Sequence, residues 1–126
     1  MEKIIPDYLQ NLSSFLQKTS YSEIPENVIE RSRLVFADSM AAIIGGSAEP
    51  EVETLTKRML LSKNPGTASV LGTGLSGEPM TVSVINGSAG TFLEMDEGNQ
   101  FCRGHPGMQV IPCLLYTSDA ADERLG

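Results

Sequence analysis

The sequence predicts an all-α fold that contains one short β-prone segment. Four stretches repeat apolar residues at intervals of three and four, which is the spacing of a helix with one buried face. Proline or acidic residues stand near the start of several stretches, and glycine or polar turns separate them. Only residues 67–71 are β-prone. The 126 residues are enough for about one domain.

Each predicted element follows from a local pattern. The helices are expected over residues 5–19, 24–45, 50–61 and 79–95. The Gly45-Gly46 pair should end the second helix, because glycine commonly follows a helix C-terminus. Asn64-Pro65-Gly66 predicts a turn, and residues 97–107 predict a loop before a new apolar helix begins near Val110.

The C-terminal segment is predicted to be foreign to the fold. Residues 113–123 (CLLYTSDAADE) resemble the in-frame translation of a transposon-based sequencing-library adapter. Segments of this kind do not belong to the native protein. We therefore expect residues 1–112 to form part of a helical domain and residues 113–126 to be a non-native tail.

Charge and composition argue against nucleic-acid and membrane partners. The formal net charge is −7, which argues against a nucleic-acid partner because phosphate binding needs a basic surface. The sequence contains no run of 18 apolar residues and no signal-peptide pattern, so we expect no membrane association and a cytoplasmic location. The two cysteines, Cys102 and Cys113, have neither a disulfide pattern nor metal-ligand spacing.

A glycine-rich loop offers one functional hypothesis. Residues 72–77 fit the pattern G-x-G-x-x-G, and Glu94 and Asp96 follow about 20 residues later, as a dinucleotide-binding fingerprint requires. However, the preceding strand would be short, and helices rather than a sheet come before it. A surface turn is the favoured interpretation, and a dinucleotide-binding domain is the alternative.

A second pattern is more typical of catalysis. Three carboxylates, Glu94, Asp96 and Glu97, lie within four residues, and the only histidine, His105, follows after a loop. Neighbouring carboxylates and a histidine can perform general acid–base catalysis. Arg103 could bind a substrate carboxylate through two parallel hydrogen bonds.

Two other interpretations of the same residues remain open. The carboxylates could be a solvated helix end beside a loop histidine. They could also bind a metal, because Asp, Glu and His are all metal ligands. A single histidine without a partner at helical spacing makes a metal the weaker hypothesis, and we expect neither a metal nor another cofactor.

These residues occur in a pattern that resembles the MmgE/PrpD family. The similar segments are residues 86–97 (NGSAGTFLEMDE), 104–107 (GHPG), 110–112 (VIP) and, earlier, 34–46 (LVFADSMAAIIGG). In the family, an Asn-Gly-led helix ends in an acidic motif, and a His-Pro turn precedes the next helix. The resemblance covers residues 5–112.

The resemblance implies a fold and an activity. Family members combine a large helical domain with a smaller α/β domain and act on small di- or tricarboxylates by proton transfer, without a required metal. The matching catalytic candidates are Asp96 and His105. The candidates for substrate binding or support are Glu94, Glu97, Arg103 and Gly104. The resemblance also implies a homodimer for the full-length parent, which would be a 2-methylcitrate dehydratase-like or cis-aconitate decarboxylase-like lyase.

The sequence also departs from the family pattern. Thr91 stands where many relatives have histidine, and Glu97 replaces the second aspartate of the acidic motif. Members are several times longer, so we expect this chain to be an N-terminal fragment that is inactive alone. A stand-alone helical interaction module without catalytic activity is the alternative from another functional class.

Overall fold

The computed structural model describes residues 6–61, 66–101 and 103–122, with side chains described as far as Tyr116. Four sequence features lie outside the described residues: Ile5, the Asn64-Pro65 part of the predicted turn, Cys102, and residues 123–126. The chain forms two compact units, residues 1–32 and 33–126. The predicted all-α class is confirmed, with five α-helices and one two-stranded sheet in the described part.

The first unit contains helix α1 (Asp7–Lys18), a 3₁₀ turn at Tyr21–Glu23 and the start of α2. The backbone N–H of Ser20 donates to Oε2 of Glu23 at 2.8 Å, and the Ser20 hydroxyl donates to the same oxygen at 2.9 Å. These two hydrogen bonds, the backbone one first, lower the pKa of Glu23.

Helix α2 (Glu26–Ser47) runs through the Gly45-Gly46 pair, so the predicted helix end is wrong. A Cβ atom on Gly46 would lie 1.9 Å from the carbonyl oxygen of Ala89 in helix α4 (Pro79–Phe92). Gly46 is therefore needed for close helix packing, which overrides its tendency to end a helix.

The glycine-rich loop forms the turn of a β-hairpin. Helix α3 (Pro50–Leu61) has the predicted bounds, and strands β1 (Ala68–Val70) and β2 (Leu75–Gly77) follow it in antiparallel pairing. Gly72 and Gly74 have φ angles of +78° and +71°, which glycine adopts without strain. Across the described ranges no parallel β-α-β unit occurs, so the surface-turn interpretation holds and the dinucleotide alternative loses its structural basis.

The last two helices enclose the loop that carries the acidic residues and the histidine. α4 ends at Phe92, three residues earlier than predicted, and α5 (Pro106–Asp122) begins four residues before Val110. α5 continues without a break across the predicted tail boundary at residue 113. Of the helices described, none is long and apolar enough to cross a bilayer.

The core of the second unit consists of two adjacent apolar clusters. The first contains Ala42, Ile43, Val52, Ala89 and Met108, which come from α2, α3, α4 and α5. The second joins the hairpin to α4 and contains Ala68, Val70, Val82 and Ile85. Packing in the first cluster, which contains residues of both helices, fixes the end of α4 relative to the start of α5. This packing positions the loop between them.

Asn86 is the buried polar residue that connects the hairpin to α4 and α5. Its Oδ1 accepts from Leu71 N at 3.1 Å, and its Nδ2 donates to the carbonyl of Ser69 and to the hydroxyl of Tyr116. Tyr116 also packs on the second cluster, although it lies in the predicted foreign tail. The foreign origin of residues 113–126 stays a prediction.

Candidate functional site

The candidate site begins where α4 ends. Glu94 adopts a left-handed backbone with φ of +53°, and its N–H donates to the carbonyl of Thr91 at 3.1 Å. Glu94 and Met95 are exposed after this turn, whereas Asp96 and Glu97 are partly buried. The side chain of Asp96 is only 3% exposed.

A tight loop then brings the chain back to the same place. Asn99 N donates to Gly104 O at 2.9 Å, and Asn99 Oδ1 accepts from Phe101 N at 2.9 Å. Arg103 completes the reversal with a φ of +50°, a left-handed backbone conformation that residues other than glycine seldom adopt. The loop places His105 directly after this reversal and beside Asp96.

Asp96 and His105 form the central pair of the site. Oδ2 of Asp96 lies 3.1 Å from Nδ1 of His105, and the histidine side chain is 53% exposed. Within the described part of the chain, this Asp96 oxygen has no hydrogen-bond partner of good geometry. The pair is therefore a close contact between a buried carboxylate and a solvent-accessible imidazole rather than a fully directed hydrogen bond.

Glu97 connects this pair to the start of α5. Its Oε1 accepts from the backbone N–H of Gly107 at 2.6 Å, in the first turn of the helix. A carboxylate is favourable there because the helix N-terminus carries partial positive charge. A Cβ atom on Gly107 would lie 3.0 Å from the Glu97 carboxyl group, so glycine allows this approach. Glu97 thus has a positioning contact as well as its predicted role beside the substrate.

One site residue was missed by sequence reasoning. Ser39, from the buried side of α2, is 0% exposed, and its hydroxyl has no partner among the described residues. The hydroxyl lies 3.0 Å from the position that a Gly107 Cβ would occupy, which places it next to the Glu97 carboxylate. The available signal was a small polar residue among the residues that α2 buries.

The structure thus brings together three of the six predicted site residues. One ligand atom each from Asp96, Glu97 and His105 lies within 4.8 Å of the other two. Glu94 and Arg103 are exposed, and Gly104 is half-buried in the loop next to His105. The catalytic and substrate-binding roles of all six residues stay predictions.

Comparison with known proteins identifies the family. The chain is 24% identical to the cis-aconitate decarboxylase-like protein oryM of Aspergillus oryzae over 108 residues, which is 86% of this chain and 22% of that protein. It is also 24% identical to the cis-aconitate decarboxylase of Aspergillus terreus over 102 residues, or 81% of this chain and 21% of that enzyme. The chain therefore spans about a fifth of the length of these curated relatives. No solved structure matches it.

The match to a family pattern is more extensive than the match to any of these relatives. The sequence model of the MmgE/PrpD N-terminal domain matches residues 10–124, which include most of α1, all of α2 to α5, the hairpin and the acidic loop. The matched range also covers most of the predicted foreign tail. Since this match extends over most of the chain, the protein belongs to the MmgE/PrpD family.

Proposed function

We propose that the full-length protein is a lyase or isomerase that acts on small di- or tricarboxylates by acid–base proton transfer. The observation that supports this proposal is the 3.1 Å contact between buried Asp96 and exposed His105, within the segment that matches the family. The curated relatives named cis-aconitate decarboxylase support a dehydratase- or decarboxylase-like reaction. A cytoplasmic homodimer is part of the same proposal.

In this proposal the two residues have different tasks. His105 would donate a proton to the substrate or bind its carboxylate, because its imidazole is accessible to solvent. Asp96 would orient the imidazole, as a buried carboxylate commonly does for a catalytic histidine. Glu97 would fix the loop to the start of α5 by accepting a hydrogen bond from Gly107 N, and this would maintain the distance between Asp96 and His105.

Substrate carboxylates would be bound by the exposed part of the loop. Arg103 is exposed two residues before His105, and its guanidinium can bind a carboxylate with two parallel hydrogen bonds. Glu94, two residues before Asp96 in the sequence, is also exposed and would interact with substrate hydroxyl groups. Additional site residues would come from the part of the relatives' length that this chain does not span.

The test requires the long form of the protein. The gene should be read past the codon for Pro112, and the resulting enzyme assayed with cis-aconitate and 2-methylcitrate. We expect Asp96→Asn and His105→Gln each to lower kcat/KM by a factor of roughly 10²–10⁴, the usual contribution of an acid–base group. Glu51→Gln, at an exposed acid of α3, is the matched control and should retain activity.

Two results would count against the proposal. The first is an enzyme in which both variants keep wild-type kcat/KM on a substrate that the protein converts. The second is a genomic reading frame that stops near residue 126, together with no turnover, which would favour the helical interaction module instead.

A further inference from the structure

We propose that the outer face of α2 binds an apolar helix from the part of the long form that this chain does not span. The outer face consists of Leu34, Ala37, Ala41 and Ile44. All four residues are exposed, with Leu34 at 59% and Ile44 at 51%. The inference goes beyond the proposed reaction, but it rests on the long form that the proposed function requires.

The first supporting observation is that α2 has apolar residues on two opposite sides. Successive residues of an α-helix lie about 100° apart around its axis, so the four residues of the outer face share one side. The opposite side carries the residues that α2 buries, Ser39, Ala42, Ile43, Gly46 and Ser47. Apolar residues on both sides are typical of a helix in the interior of a larger helical domain.

The spacing of the outer face indicates how its partner packs. The four residues are separated by three, four and three positions, which is the a/d spacing of helices that pack side by side at a crossing angle of about 20°. Ala37 and Ala41 lie in the middle, where short side chains allow the helix axes to approach closely. Asp38 is exposed at the edge of the face, so a docked helix can leave its carboxylate in water.

The small size of the outer face favours a segment of the same polypeptide over a second copy. Four side chains, two of them from alanine, cover much less than the roughly 800 Å² per partner of a standard protein interface. Association of two separate molecules also costs about 4–15 kcal/mol in lost translational and rotational freedom, which a tethered segment largely avoids. The chain spans 22% and 21% of the lengths of two curated relatives, so the long form has ample sequence to supply the helix.

Thiol labelling of the long form tests whether the outer face is covered. Ala41→Cys places a thiol in the middle of the face, and Thr54→Cys places one on the exposed surface of α3 as the matched control. Trypsin cleaves after Arg33 and Lys57, so both positions lie on the same peptide, residues 34–57. Mass spectrometry of this peptide therefore measures the labelled fraction of both variants in the same way.

We expect Ala41→Cys to react with N-ethylmaleimide at least about tenfold more slowly than Thr54→Cys in the native long form, because a covered thiol reacts only when the local structure opens. In urea the two variants should react at similar rates, which checks that the difference comes from the fold. Ala37→Cys is a second variant of the outer face and should be protected like Ala41→Cys. Equal native rates for all three variants would overturn the proposal.

Photo-cross-linking from Leu34 identifies what covers the face. The variant Leu34→p-benzoylphenylalanine of the long form should form, on irradiation, a cross-link to a peptide beyond residue 126, in a product with the mass of a single chain. A product with the mass of two chains would show that a second copy covers the face. Cross-links confined to residues 1–126 would show that no later segment binds there. Either of these two results would overturn the proposal.

Neither measurement uses a substrate, so both results are independent of whether the long form converts a polycarboxylate. A genomic reading frame that stops near residue 126 would overturn this proposal together with the proposed function, and sequencing distinguishes that case from a failure of the labelling experiments alone.

Discussion

At the residue scale, two neighbouring glycines in α2 differ in whether a side chain would fit at their positions. A Cβ on Gly46 would lie 1.9 Å from Ala89 O, whereas a Cβ on Gly45 would meet only Leu93 Cδ1 at 3.4 Å. We expect Gly46→Ala to destabilise the protein by about 1–3 kcal/mol, because backbone atoms must move. Gly45→Ala should stabilise it by roughly 0.5–1 kcal/mol, because alanine favours a helix interior. Urea denaturation midpoints measure both, and equal effects would contradict the packing argument.

Tyr116 supplies a prediction about pH. Burial raises the pKa of Tyr116 above its usual value near 10.0, and the hydrogen bond from Asn86 partly opposes this shift. The folded state therefore favours the protonated phenol. The resulting contribution of Tyr116 to the free energy of unfolding is complete below pH 10. It is lost as the pH rises through the higher pKa of the folded state. Tyr116→Phe should flatten the alkaline decline of the thermal melting temperature, and an unchanged slope would contradict the burial.

At the element scale, the N-termini of α4 and α5 each donate backbone hydrogen bonds to a carboxylate from outside the helix. Glu78 precedes α4 and accepts from Met80 N and Thr81 N, both at 2.9 Å. Glu97 has the corresponding contact with Gly107 N at the start of α5. Both contacts satisfy N–H groups that have no acceptor within the helix.

The contribution of the Glu78 cap can be measured. We expect Glu78→Ala to lower the free energy of unfolding by about 1 kcal/mol, the typical value of a helix N-cap. Glu78→Gln keeps an acceptor oxygen and should lose less than Glu78→Ala. Chemical denaturation followed by circular dichroism measures both variants, and the reverse order would argue against capping.

At the scale of the whole molecule, the chain exposes large apolar side chains. In α1, no residue is buried, and Tyr8, Phe15 and Leu16 are each more than 60% exposed. The chain spans about a fifth of the length of its curated relatives. Exposed apolar surface of this kind promotes association.

We therefore expect the isolated chain to aggregate and to melt with low cooperativity. The double change Phe15→Ser and Leu16→Ser should reduce light scattering at equal concentration without lowering the denaturation midpoint, because both residues are exposed. Val82→Ser, at a fully buried position, is the control and should lower the midpoint. A sharp melt of an unmodified monomer would contradict this prediction.

Local patterns in the sequence determined most of the secondary structure. The bounds of α3 and the position of β1 follow from apolar spacing and turn residues, since these signals act over a few neighbours. The same reasoning misplaced the end of α2, because Gly46 serves a contact with Ala89, which is 43 residues away. That contact cannot be read from residues near Gly46.

In the candidate site, too, some features were predictable from the sequence and others depend on tertiary packing. The sequence by itself identified the family, and its six candidate site residues included the three that meet, Asp96, Glu97 and His105, because they are close along the chain and chemically distinctive. Only the tertiary structure decided that Asp96 is buried, that Glu97 binds the first turn of α5, and that Ser39 joins them from α2. These features depend on packing between α2, α4 and α5, and packing across such sequence distances leaves no local signature.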